Sequence, residues 1–255
     1  MGMIHDIKDE RNIEIENVGI CDYKLPITFC SDKEYNTIAS ISAGVSLGSS
    51  IKGAHLSRII ETLDEMLANN KITLDYFKKV LEELKHKLEV GNSRLNMGFD
   101  IVFNTTTPVS GKKTFLNSHI ILNGDTNDEI NNYISVTSTG AMLCPNSKAI
   151  SKYGAHSQKC NLTASLYGNI SEVKIEDITN IVFRQFSAEV YGVVKSSDEK
   201  ILTEKAYENP KFSEDLVRDT LLALREYYKV GKIKVEIENL ESIHQHNVYA
   251  RGLLR

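Results

Sequence analysis

Four clusters of residues in this chain have the types and spacings that chemistry requires. In the first, Cys144-Pro145-Asn146-Ser147-Lys148 is followed by Tyr153-Gly154-Ala155-His156. A thiolate and an imidazole are borderline-soft donors that suit zinc. Two donors do not make a site. A catalytic zinc takes three protein ligands and keeps a position for water, and Glu199 in the polar stretch Ser197-Asp198-Glu199-Lys200 is a candidate third. The competing reading is a small buried hydrophobe and a hydrogen-bonded loop histidine.

The second cluster is Ser242-Ile243-His244-Gln245-His246. Two histidines at i and i+2 on an extended segment point to the same side, so both can face a pocket. Histidine also titrates near neutral pH, as a proton-transfer group must; otherwise the pair belongs to an exposed polar loop. The third runs from Ala206-Tyr207-Glu208-Asn209-Pro210 to Phe212 and Glu214. A carboxylate in the first turn of a helix compensates the helix dipole, or else it is a fixed acceptor for an N–H-rich ligand edge such as that of guanine. In the fourth, Lys52-Gly53-Ala54-His55-Leu56-Ser57-Arg58 sets three basic side chains beside a helix start, where phosphate can be held. Polar loops entering helices are common, so this cluster is weak alone.

The elements that must position these clusters follow from periodicity. Residues 16–48 alternate apolar and polar and read as strands. Ile41, Ala43, Val45 and Leu47 share one face, and Pro26 marks an edge-like strand. Helical spacing begins at Ser57 and fades at Ala68-Asn69-Asn70. A second helix opens at Thr73 as N-cap, with Gly91 expected to close it. Residues 95–122 return to strands joined by Pro108, Ser110 and Gly111, and a polar loop at 123–132 leads to the strand YISVTSTGAML. Strand LTASLYG, a helix over 174–191, a loop from Lys195 to Pro210, a helix after Pro210, strand KIKVEIENL and a His-rich tail complete the pattern. Two rounds of strands followed by helices predict an α+β fold of antiparallel sheets with helices on one side. No Pro/Gly/Ser-rich linker divides them, so a single unit of two modules, 1–125 and 126–255, is expected.

Composition excludes several classes. The chain has 255 residues, 41% apolar and 25% charged, with 30 basic against 34 acidic residues and a net charge of −4. A mildly acidic chain argues against dedicated nucleic-acid or membrane-surface binding. No stretch approaches ~20 apolar residues, and the opening MGMIHDIKDERNIEIE is too charged for a signal peptide. Four scattered cysteines give no disulfide framework. A soluble cytoplasmic protein is expected.

Taken together, the segments VGICDYKLPI, KGAHLSR, PVSG, LCPNSKAISKYGAH, SDEKILTEKAYENPKFSED and ESIHQH resemble, in order and register over nearly the whole chain, the type IB GTP cyclohydrolases. The resemblance implies the tunnelling fold, with two tandem modules per chain and a homotetramer carrying active sites at subunit interfaces. It implies Cys144, His156 and Glu199 as ligands of a divalent metal, Zn²⁺ first and Mn²⁺ or Fe²⁺ as alternatives. It implies GTP or a related purine nucleotide as partner, Glu214 on the guanine edge, and His244 moving protons with His246 in the same pocket. His55 and Arg58 fall near substrate phosphate or ribose. The implied reaction is hydrolysis at purine C8, formate release and re-closure to 7,8-dihydroneopterin triphosphate. One departure stands out: the family pattern Cys-Pro-Cys is here Cys144-Pro145-Asn146. Asparagine hydrogen-bonds but cannot become a thiolate. A diverged enzyme performing a partial or different reaction is therefore the alternative, and Cys160, beyond His156 in the sequence, is not expected to substitute for the thiol. Lys195-Ser196-Ser197-Asp198 also replaces the usual Lys-Arg-Pro-Asp.

Overall fold

The computed structural model describes residues 8–255; residues 1–7, with His5 and Asp6, lie outside them. The chain divides into two compact units that interleave in sequence rather than meeting near residue 125. One takes the chain to Asp100 with Ile121–Ile134 and Gly168–Glu172. The other takes Ile101–Ile120, Ser135–Tyr167 and Val173–Arg255.

In the first unit, β1 (Ile15–Cys30) and β2 (Glu34–Leu47) form an antiparallel hairpin, and β2 pairs with β4 (Ser93–Thr106). The two-residue β3 (Lys71–Ile72) runs parallel to the end of β1. Pro26 sits where β1 has only β2 beside it, as an edge-like proline must. Ile41, Ala43, Val45 and Leu47 are all buried, as the alternation requires. They face the same core as Leu95, Met97 and Phe99, with the Phe29 and Phe99 rings 5.0 Å apart. Helices α1 (Leu56–Leu67) and α2 (Leu74–Lys87) bury Ile59, Leu63, Phe77, Val80 and Leu84. Thr73 caps α2 by accepting from the Tyr76 N–H at 3.1 Å. Gly91 does not close this helix. Its C-cap is Leu88, and Glu89 takes the left-handed conformation at φ 54°.

In the second unit, β6 (Tyr133–Leu143), β7 (Ser157–Tyr167), β8 (Lys232–Asn239) and β9 (Val248–Leu254) are successive hydrogen-bonded neighbours, with β5 (Lys113–Asp125) on the other side of β6. Val136, Leu162, Ala164, Val235 and Ile237 make its apolar face, covered by α4 (Ile175–Phe183) and α6 (Ser213–Tyr227). Close approach needs glycine. A Cβ at Gly252 would meet Leu221 of α6 at 2.6 Å, and one at Gly140 would meet the Phe186 ring at 2.1 Å. The opposite face carries Thr137, Thr163, Glu236 and Arg251 and lines an open cavity. Among the described residues no helix is long and apolar enough to cross a membrane.

Three elements differ from the sequence reading. The helix expected over 174–191 stops at Phe183, because Phe186 is buried against Gly140 and Ala188 bridges to Ala141. The stretch from Lys195 to Pro210 is not a loop but helix α5 (Ser196–Glu208), and the tail contains edge strand β9. Helix α5 buries only Asp198 and Ala206, so it shows no apolar stripe.

Asp198 fastens α5 to the turn after β4. Its carboxylate accepts from the Val109 and Ser110 N–H groups at 2.9 and 2.8 Å, from Ser110 Oγ at 2.6 Å and from the Lys195 N–H at 3.1 Å. Burial pushes the carboxyl upward, but these hydrogen bonds outweigh it and hold the group well below the usual carboxylate range. A depressed carboxyl contributes stability that is present above about pH 4 and lost as pH falls below that. We expect Asp198→Asn to lower Tm by roughly 10 °C at pH 7, since an amide nitrogen then faces N–H donors. Calorimetry at pH 7 and pH 3 should show the gap narrowing in acid; equal losses at both would assign the effect to packing.

Candidate active site

The end of β6 and the start of β7 bring Cys144 and His156 together. The Cys144 N–H donates to the His156 carbonyl at 3.2 Å. Ser147 Oγ donates to the Cys144 carbonyl at 3.1 Å and accepts the His156 N–H at 3.2 Å. Cys144 is the N-cap of the short helix α3 (Pro145–Ile150), its sulfur accepting from the Ser147 N–H at 3.4 Å. Pro145 at the first helical position fits that geometry, and Gly154 supplies the left-handed turn before His156 at φ 126°. The CPNSK and YGAH segments thus close one loop around a thiol and an imidazole.

Two further segments converge on this loop. Ser242 Oγ lies 3.3 Å from His156 Nδ1, which brings the loop between β8 and β9 to the imidazole. That loop holds His244 and His246 with their rings stacked 5.2 Å apart at 23°. The same-side expectation stands, although the segment is a series of bends and not an extended strand. The Lys211 N–H donates to the Leu143 carbonyl at 3.1 Å, placing the entry to α6 beside the residue that precedes Cys144. Lys148 bonds the Tyr207 carbonyl and stands 4.3 Å over its ring, joining α3 to the end of α5.

Glu214 is exposed in the first turn of α6, with no hydrogen bond or ion pair among the described residues. The capping role falls to its neighbour Asp215, which accepts from the Phe212 N–H at 3.1 Å. Glu199 is exposed on α5. It stands one turn before Leu202 and Thr203, which line a cavity of about 790 Å³ together with Leu143 and Ala155, the neighbours of Cys144 and His156. Among the described residues no three His, Cys, Asp or Glu side chains form a group that could hold a metal. The structure therefore joins Cys144 to His156 and leaves Glu199 outside that pair. Thiolate, imidazole and carboxylate remain a donor set suited to a zinc-like divalent ion.

Asn146 is exposed at the second position of α3. Cys160 does not replace the missing thiol: it is fully buried, and burial pushes its thiol up to about 12. In the first unit, His55 and Arg58 line a cavity of about 570 Å³ with Lys8 and Glu89. The sequence reading missed Gln158 and Glu241. Gln158 Oε1 is 2.9 Å from His156 Nδ1, and Gln158 Nε2 donates to Glu241 Oε1 at 3.4 Å. Its only signal was its place two residues from His156, on the same strand face.

The chain is similar to known proteins over nearly its whole length. The family profile described as GCHY-1, type I GTP cyclohydrolase folE2, matches residues 1–250. The GTP cyclohydrolase FolE2 of Ruthia magnifica subsp. Calyptogena magnifica is 37% identical over 246 residues, 95% of this chain and 92% of that protein. The FolE2 of Fervidobacterium nodosum is 38% identical over 256 residues, 97% and 96% of the two chains. A uricase from Bacillus fastidious superposes with a TM-score of 0.56 at 11% identity, covering 96% of this chain and 94% of the uricase, which shows a shared fold. A uricase-like tunnelling fold, with thiol, imidazole and paired histidines gathered by segments matched from end to end, makes this chain an enzyme of the type I GTP cyclohydrolase family FolE2.

Proposed function

We propose that the chain hydrolyses the purine ring of GTP at C8, releases formate and re-closes the product to 7,8-dihydroneopterin triphosphate with the help of a divalent metal. The observation that carries this reading is the convergence of Cys144, His156 and the His244–His246 loop. Cys144, His156 and Glu199 would hold the metal, Zn²⁺ before Mn²⁺ or Fe²⁺. Bound there, such an ion supplies Lewis-acid activation of water near neutral pH. Glu214, with no partner among the described residues, accepts from guanine N1–H and the exocyclic amine and so fixes the base. His244 gives and takes protons as the ribose opens and rearranges, with His246 stacked behind it. Arg58 supplies positive charge for phosphate, and His55 lines the same cavity. Two water additions and one dehydrative closure balance the reaction.

The enzyme is proposed to work as a homotetramer in the cytoplasm, with sites at subunit interfaces. Ile150 and Tyr153, 77% and 89% exposed beside the Cys144–His156 loop, are the apolar surface such an interface covers.

The test is GTP turnover followed by pterin fluorescence after oxidation, with Zn²⁺, Mn²⁺ or Fe²⁺ added singly, on material whose mass light scattering reads as four chains. Pterin formation supports the full reaction. A second reading is favoured by Asn146, which cannot exchange a proton near neutral pH. In it the chain stops at the ring-opened formamidopyrimidine or acts on another purine; accumulation of that intermediate alone, or no GTP consumption, would replace the first reading. Asn146→Cys is expected to raise kcat about 100-fold, the scale of one positioned acid–base group. No gain would mean that Asn146 is not what limits turnover.

A further inference from the structure

His156 meets protein through one ring nitrogen. Nδ1 lies 2.9 Å from Gln158 Oε1 and 3.3 Å from Ser242 Oγ, while Nε2 has no hydrogen-bond partner among the described residues. The orientation of the Gln158 amide follows from its other end. Its Nε2 faces the Glu241 carboxylate at 3.4 Å, and a carboxylate only accepts, so the amide nitrogen must be there. The amide oxygen is left toward His156. That oxygen also only accepts, so Nδ1 must carry the proton and the lone pair resides on Nε2. The Ser242 hydroxyl can donate or accept and does not force a tautomer. Glu241 and Ser242 open the loop that carries His244 and His246.

We propose that Gln158 is a positioning residue with two duties. It holds His156 as the Nδ1–H tautomer with the Nε2 lone pair presented to a ligand, and it tethers the His244–His246 loop to β7, the strand that His156 immediately precedes. The first duty rests on the metal reading given above; the second needs only the geometry. Sequence spacing hid this relay, because Gln158 and Glu241 are 83 positions apart.

Two variants separate the duties. Gln158→Leu removes both contacts, whereas Gln158→Glu keeps an acceptor at Nδ1 but sets a carboxylate against Glu241. In metal-free full-length protein labelled with ¹⁵N-histidine, His156 of the wild type should be protonated at Nδ1. Gln158→Leu should move the proton to Nε2, and Gln158→Glu should restore the wild-type tautomer. Zn²⁺ affinity, read by competition with a chelating dye, should fall about 10–100-fold in Gln158→Leu and stay near wild type in Gln158→Glu. Metal-loaded Gln158→Glu should still lose kcat because its loop is released. Wild-type His156 protonated at Nε2, or Gln158→Leu with unchanged tautomer and affinity, overturns the assignment. If the tautomers behave as stated but wild-type protein binds no Zn²⁺, the metal reading fails and the positioning role stands.

Discussion

His156→Ala should yield a folded protein that retains no stoichiometric metal and turns over GTP at least about 10⁴-fold more slowly. Folding should survive because the bonds that shape this loop are made by the His156 backbone. Its N–H goes to Ser147 Oγ and its carbonyl to the Cys144 N–H, and alanine keeps both. The imidazole is half-buried and bonds only the half-buried Gln158 and the exposed Ser242 among the described residues, so losing it should shift Tm by no more than about 2 °C. What alanine removes is one donor of a proposed three, and a site left with Cys144 and an exposed Glu199 has too few ligands for retention at neutral pH. The check combines elemental analysis, calorimetry and turnover on one preparation. One metal per chain in the variant would refute the ligand assignment. Loss of metal with turnover intact would refute the metal's part in the reaction.

The chemistry of this chain was easier to read in its sequence than the frame that carries it. Cys144, His156, His244 and His246 announce themselves by residue type, and short motifs hold them at fixed offsets. Backbone bonds that those motifs encode locally join Cys144 to His156, and the Ser242 side chain brings the His244–His246 loop to the imidazole. Helix α5 was hidden because a helix that buries two residues has no apolar period, and three of the four bonds that Asp198 accepts come from Val109 and Ser110, 89 and 88 positions away. Strand β9 was hidden because its burial depends on α6 lying over Gly252. The division into units was illegible for a related reason. Strands β4 and β5 each pass from one unit into the other, so no linker or composition shift marks the boundary. Glu214 shows the limit of reasoning from position alone. A carboxylate in a first helical turn reads as a cap or a dipole partner, but Asp215 does the capping and Glu214 makes no hydrogen bond or ion pair among the described residues.

Glu214→Gln separates a contact with the guanine edge from an effect on the helix dipole. A carboxylate offers two acceptors to the N1–H and exocyclic amine of guanine, whereas an amide offers one acceptor and places an N–H donor against the amine. A site built around a hydrogen-bonded pair discriminates by several orders of magnitude when one partner is mismatched, so kcat/KM for GTP should fall about 10³- to 10⁴-fold. The fold should not respond, because the Phe212 N–H stays bonded to Asp215 and Glu214 has no partner to lose among the described residues; Tm within about 1 °C of wild type is expected. The informative measurement is a change of preference. Xanthosine triphosphate carries a carbonyl where GTP carries the amine, and that carbonyl suits the new amide N–H. Wild-type enzyme should therefore prefer GTP, and the variant should consume the xanthine nucleotide at least as fast as GTP. If Glu214 acts only on the helix dipole, the substitution lowers both substrates equally and slightly, through a helix start weakened by one exposed charge. An inverted preference cannot arise that way, since a dipole effect does not distinguish a carbonyl from an amine on a bound base.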